Sequence, residues 1–178
     1  MTGKPIIIEG NVWAITDADG NLYDSVDTDQ IYHNQWLAVT DVAEMGKYAF
    51  GNLPGWEDFP SKAAPGDVIV TGANFGAGSS RQHAVDCFQA LGIRLIIAAS
   101  FGAIYRRNAI NSGMPILTVL GVSAGDVATG ENIKANLETG VVENLARGLT
   151  LTGEPWSDVQ MDIYRAGDLF LYGRRGLQ

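Results

Sequence analysis

Three short apolar runs, separated by glycine-rich and helical stretches, set the rhythm of this chain. "GDVIVTG" (66–72), "RLIIAAS" (94–100) and "PILTVLG" (115–121) are each the length of a buried strand and are bounded by turn residues. Between the first two, Ala84, Cys87, Phe88 and Leu91 recur at i, i+3, i+4 and i+7. That spacing predicts one apolar stripe on a helix over Ser80–Leu91, and Gly92 stands where a C-terminal glycine cap belongs. Between the second and third runs, Ser100 can cap a helix that reaches about Asn111, with Gly113 and Pro115 to stop it. The order β–α–β–α–β predicts parallel strands joined by helical crossovers, and so an α/β protein.

The flanks are less regular. "GNVWAIT" (10–16) reads as a first strand, followed by the turn-rich "DADGNLYDSVDTDQ". Val42–Phe50 suits a short helix, and "GNLPGWEDFPSKAAPG" (51–66) a loop punctuated by Gly and Pro. From about Glu131 the pattern is one of short strands and turns, then a helix over Ser157–Ala166 and a strand at "DLFLYG" (168–173). With no repeat, linker or low-complexity segment, residues 1–178 are expected to form a single domain.

Composition narrows the partners. A hydrophobic content of 46% with 18% charged residues is that of a globular chain. No apolar stretch is long enough to span a bilayer, and "MTGKPIIIEG" has neither a basic leader nor a small-residue cleavage site, so the expected location is the cytoplasm. The net charge of −8 argues against nucleic acid and anionic membrane as partners. One cysteine, Cys87, and two distant histidines, His33 and His83, match no metal-ligand spacing. Any metal would have to arrive on another chain.

The densest chemistry lies in "GANFGAGSSRQHA" (72–84), after a predicted strand and at the start of a predicted helix. Unpaired N–H groups and the helix dipole make such a place hospitable to anions. It is not a phosphate loop, for it lacks the Gly-Lys-Ser/Thr ending, and it lacks the third glycine of the dinucleotide fingerprint. It is not a nucleophile elbow either, because Ser79 is followed by Ser80 and Arg81. A helix cap would need only one of the two serines. It would leave Arg81 in the first helical turn, where the dipole disfavours a cation. A guanidinium facing a bound carboxylate resolves that conflict. The residues alone therefore suggest a carboxylate site with a hydroxyl beside the ligand.

Those residues resemble a known motif. "GANFGAGSSRQHA" is similar to G-x-N-F-G-C-G-S-S-R-E-H-A of the small subunits of 3-isopropylmalate dehydratases, relatives of the swivelling C-terminal domain of aconitase. "DSVDTDQI" (24–31) resembles the family's D-x-x-D-T-D-x-I loop, and "SFGAIYRRNAINSGMPIL" (100–117) its S-F-A-x-I-F-Y-R-N-A-I-N-x-G-L-P-x-L segment. "PGDVIVTG" matches the strand before the serines. The resemblance covers most of the chain. It implies a β/β/α swivel-type fold with a central, largely parallel sheet. The implied activity is that of a hydro-lyase subunit of leucine biosynthesis, acting on a 2-hydroxy di- or tricarboxylic acid.

In that family a large subunit holds the [4Fe–4S] cluster, whose open iron acts as a Lewis acid on the departing hydroxyl. This chain would bind no cofactor alone. Carried over, Ser79 would be the base, while Gly78, Ser80 and Arg81 would bind substrate carboxylate, with Asp27 and Thr28 supporting at the edge. Asn74, His83, Arg107 and Asn108 are candidate supports. His83 is expected to be structural and bonded to the loop backbone, Cys87 a buried inert thiol, and Asn108 and Asn111 to fix loop ends. Arg106 and Arg107 read as a solvated helix face, or one of them as a contact to substrate or to the large subunit.

Three departures mark this chain. Ala77 stands at the motif's cysteine, Gln82 at its glutamate, and "YHNQWLAVTD" (32–41) where relatives commonly read I-P-A-R-Y-L, so that His33 replaces the proline and Gln35 the arginine. The substrate-selecting loop, Trp36, Leu37, Ala38, Val39 and Thr40, therefore does not identify the acid. Isopropylmalate, a methyl- or dimethyl-malate and homoaconitate all fit the pattern. Two rival readings remain at this stage: a non-catalytic carboxylate-binding assembly subunit, and a stand-alone serine hydrolase, for which no His/Asp partners are evident.

Overall fold

The computed structural model describes residues 4–175. In chain order the elements are strand β1 (Ile7–Ala14), helices α1 (Thr28–Ile31), α2 (Val42–Met45) and α3 (Phe59–Lys62), strand β2 (Val68–Thr71), helix α4 (His83–Ala90), strand β3 (Leu95–Ala98), helix α5 (Ala103–Asn111), strands β4 (Ile116–Thr118), β5 (Asn132–Asn136), β6 (Val141–Asn144) and β7 (Leu149–Thr152), and helices α6 (Asp158–Ala166) and α7 (Leu169–Arg175). Two 3₁₀ turns lie at Asn34–Trp36 and Gly46–Tyr48.

All seven strands form one sheet in the order β4-β3-β2-β1-β5-β6-β7. The three apolar runs supply β2, β3 and β4, which pair in parallel through Val68↔Leu95 and Ile96↔Ile116. β1 adds a fourth parallel strand through Val12↔Val68. Its other edge pairs antiparallel with β5, from which β6 and β7 follow as an antiparallel ribbon. The α/β class and the helical crossovers are thus as the sequence predicts.

Alternation within the strands divides the core in two. Ile69, Ile96 and Ile116 face Ala84, Cys87 and Phe88 of α4 and Tyr105 and Ala109 of α5. Val68, Val70, Leu95, Ile97 and Leu117 face the opposite way, toward Met161 and Tyr164 of α6. The first layer holds an aromatic knot in which Phe50 meets Phe59 and Phe88 edge-on at 5.1 and 5.0 Å between centroids. Each such pair contributes about 0.5–1.5 kcal/mol beyond area burial.

Four local expectations need correction. The helix over Ser80–Leu91 begins only at His83, with Gln82 at the N-cap and no side-chain cap bond. Neither serine caps it, and Arg81 lies outside it, so the conflict between Arg81 and the dipole does not arise. Ser100 is not a cap either, because Gly102 holds that position on α5. The 51–66 loop contains the short helix α3, whose first turn carries Pro60. "DLFLYG" is helical, not a strand: Asp168 accepts from Leu171 N–H at 2.7 Å, as an N-cap side chain does. A continuous apolar run fits a buried strand and a helix equally, so periodicity had no power to separate them.

Candidate active site

Parallel strands β1, β2 and β3 send their carboxyl ends to one edge of the sheet, where ligand sites of open α/β sheets gather. Three loops meet there. The serine loop leaves β2 at Gly72, where an added Cβ would stand 2.1 Å from an Asp24 carboxylate oxygen. The same carboxylate accepts from Ala73 N–H at 2.5 Å. Asn74 takes a left-handed φ of +57°. Its N–H donates to Ser100 Oγ at 2.7 Å, and its side-chain amide to Ser25 Oγ at 3.4 Å. Gly76 N–H donates to Val26 O at 2.8 Å, and Thr28 N–H to Ala77 O at 2.9 Å.

Thr28, buried beneath this loop, donates its hydroxyl to Ser79 O at 3.0 Å. Asp27 is committed to α1: one carboxylate oxygen accepts from Asp29 and Gln30 N–H at 2.8 Å each, and Gln30 Oε1 accepts in return from Asp27 N–H. This reciprocal capping box fixes the short helix that presents Thr28.

Arg81 turns back across this helix. Its Nη1 donates to Asp29 Oδ1 at 2.6 Å and to Tyr32 O at 3.0 Å. Asp29 also accepts from Asn34 N–H at 3.0 Å and from Asn52 Nδ2 at 3.1 Å. The Arg81 hydrogen bond holds the Asp29 carboxyl below its usual range. The guanidinium expected to face substrate thus already carries a carboxylate partner from its own chain.

The two serines differ. Ser80 Oγ accepts from Asn108 Nδ2 at 3.1 Å, which ties the loop to α5. The exposed Ser79 hydroxyl has no hydrogen-bond partner among the described residues. The backbone N–H groups from Gly78 to His83 likewise find no protein acceptor among the described residues, whereas those before and after them are paired. Gly78 keeps φ at +94°, and Gly76 at +75°.

His83 makes no bond to the loop backbone among the described residues; its ring lies against Tyr32, 5.2 Å between centroids. Cys87 is fully buried, and burial pushes its thiol well above the usual value. Arg106 reaches Glu154 at 3.5 Å, while Arg107 is exposed without an ion pair among the described residues. In the 36–40 loop, Trp36 stacks on Tyr48 at 4.3 Å and accepts the Tyr32 hydroxyl at its carbonyl, 3.2 Å away. Leu37, Ala38 and Thr40 are exposed. Asp29 and Asp24 are the residues whose bonding role the motif did not reveal, since each acts on a segment about fifty residues away.

The aconitase C-terminal domain family matches residues 57–120. The isopropylmalate/citramalate isomerase small subunit of Methanocaldococcus jannaschii is 41% identical over 93% of both chains. A 3-isopropylmalate dehydratase small subunit of Methanopyrus kandleri is 39% identical over 92% of this chain and 90% of its own. The chain belongs to the 3-isopropylmalate dehydratase small-subunit family. A crystal structure of 3-isopropylmalate dehydratase from Methanocaldococcus jannaschii agrees at a TM-score of 0.83, with 32% identity over 96% of each chain. Membership places the chain among hydro-lyases of the aconitase family, and a small subunit implies a larger partner. The segments that resemble the family's paired-serine and D-T-D motifs form the loop 72–84 and the capped turn Asp27–Asp29.

Proposed function

We propose that this chain is the small subunit of a heteromeric dehydratase that removes and adds water at a 2-hydroxy di- or tricarboxylic acid, with Ser79 as the base. The observation that carries this reading is the run of six backbone N–H groups, Gly78 to His83, that have no protein acceptor among the described residues, around the equally unpartnered Ser79 hydroxyl. Donors fixed in this way stabilise oxyanions without reorganising. They favour both a substrate carboxylate at Ser80 and the alkoxide that Ser79 must form to be basic. The Ser79 oxygen takes the proton from the carbon next to a carboxylate. The C–H electron pair becomes the C=C bond, and the hydroxyl leaves the adjacent carbon; hydration reverses these steps. Thr28 holds the Ser79 carbonyl, and Asn108 the Ser80 hydroxyl, so the two serines keep a fixed spacing.

This chain's donor set does not fit an iron–sulfur cluster. Its single thiol is sealed in the core, and no three of its described His, Cys, Asp and Glu residues gather to hold a metal. The cluster, like the second wall of a site whose serines lie exposed, belongs in this reading to the large subunit. No described helix is long and apolar enough to cross a membrane, and the proposed place of action is the cytoplasm.

The names of the relatives support isopropylmalate as substrate, with citramalate beside it. A second malate-like acid is favoured by one feature, the "YHNQWLAVTD" segment, in which His33 and Gln35 stand at the proline and arginine of the usual pattern. The test is co-expression with a cluster-bearing large subunit and assay against a panel of malate-type acids. The wild-type complex turns over at least one of them, and Ser79→Ala lowers kcat by on the order of 10³-fold while assembly is unchanged. Full activity of Ser79→Ala sinks the base assignment.

A further inference from the structure

Resting on the reading of a diacid substrate, we infer that Arg107 anchors the substrate's second carboxylate. A diacid brings two negative charges to a chain whose own net charge is −8; the backbone N–H groups at Ser80 serve one carboxylate, and the other calls for a cation that is not already spent. Arg81 is largely spent, since its Nη1 faces Asp29 at 2.6 Å and the Tyr32 carbonyl at 3.0 Å. Position 35 holds Gln35, which carries no charge. On α5 itself, Arg106 pairs with Glu154 at 3.5 Å. Arg107, the next residue, is exposed and has no carboxylate partner among the described residues.

The fold carries it to the serines. α5 is fastened to the serine loop at three points: Gly102 N–H donates to Phe75 O at 2.8 Å, the Tyr105 ring lies where a Gly76 Cβ would stand 2.2 Å away, and Asn108 Nδ2 meets Ser80 Oγ at 3.1 Å. At 100° per residue, Arg107 occupies the exposed flank next to Asn108, while Arg106 points about 160° away from Asn108, toward Glu154. A long side chain beginning one residue before the Ser80 contact is within reach of the open edge on which Ser79 lies. Its planar fork suits a carboxylate held by two parallel bonds.

The test uses the heteromer with isopropylmalate, comparing wild type, Arg107→Gln and Arg107→Lys in steady-state kinetics and in subunit affinity. The expected result for Arg107→Gln is a KM raised about tenfold to a hundredfold, the size of a lost charge-assisted bond, with kcat nearly unchanged. Arg107→Lys recovers part of the loss, and both variants bind the large subunit as wild type does. An unchanged KM overturns the anchor. So does weakened assembly with normal KM in the assembled enzyme, which makes Arg107 a subunit contact. A wild-type heteromer that turns over no malate-type acid overturns the functional reading itself, and the anchor with it; a wild type that turns over the acid with a KM matched by Arg107→Gln marks a failure of Arg107 alone.

Discussion

The serine loop (72–82) and the 36–40 loop share a hub, since Asp29 bonds Arg81 of the first and Asn34 N–H just before the second. They are held in different ways. The serine loop is bonded to Asp24, Val26, Thr28 and Ser100 and pressed against Tyr105. The 36–40 loop rests on one aromatic stack and one tyrosine hydroxyl, with Leu37, Ala38 and Thr40 in solvent. Chemistry that moves a proton needs reacting groups fixed to a fraction of an ångström. Selection of a substrate side chain needs only a wall of suitable shape, which can vary while the fold stays intact. The serine loop suits the first demand and the 36–40 loop the second.

The contrast can be broken hardest at Gly76. Its φ is +75°, and a new Cβ would meet the ring of fully buried Tyr105 at 2.2 Å. Gly76→Val is expected to cost roughly 3 kcal/mol or more through overpacking and backbone strain. For a chain of this size that lowers the melting temperature by about 6–12 °C, and turnover of the assembled enzyme is lost with it. A Gly76→Val protein that melts with wild type would show that the loop is not locked from below.

Thr28→Val is a sharper cut, because it keeps the buried shape and removes only the hydroxyl that bonds the Ser79 carbonyl. We expect kcat to fall about tenfold while stability drops by only about 1 kcal/mol, since that carbonyl can turn to water. An unchanged kcat with the same loss of stability would make Thr28 merely structural.

Trp36→Ala tests the other loop. The stack on Tyr48 adds about 0.5–1.5 kcal/mol to the burial of this half-exposed ring, so melting falls by several degrees. The ranking of kcat/KM across malate-type acids is expected to change while kcat on the best acid is retained. An unaltered ranking removes the 36–40 loop from substrate selection.

The smallest effect is expected at the hub. The Arg81 bond lowers the Asp29 carboxyl below its ordinary 3.8. A depressed folded-state pKa means stability that is fully present above about 3.8 and is lost as pH falls through the lowered value. Asp29→Asn should therefore flatten the acid limb of a stability–pH curve below pH 4 and leave it unchanged at neutrality apart from a constant offset. A variant curve parallel to wild type throughout would show that the bond does not discriminate between the two protonation states.

Much of this was legible in the chain. Local pattern located β2, β3 and β4 and the helices between them, because each element carries its own periodicity. The motif marked the serines and the D-T-D turn. What local pattern missed had no local cause. "DLFLYG" is apolar enough for either element, and its helix follows from the Asp168 cap together with its packing on α6. Ser80 to Gln82 stay out of α4 because the loop is pulled toward Thr28 and Asn108. Arg81 finds Asp29 from 52 positions away.

By itself, the sequence determined the α/β class, the order of the parallel crossovers, the paired-serine loop and the absence of enough thiols for a cluster, because each of these depends on residue type and near-neighbour spacing. Only the tertiary structure decided which serine is free and which is tied, that one oxygen of the capping aspartate is committed to α1, that Arg81 arrives already paired, and that Arg107 has no carboxylate partner among the described residues. Those outcomes depend on which segments meet across the sheet edge, and contacts between segments fifty residues apart are set by packing of the whole core, not by any stretch of it.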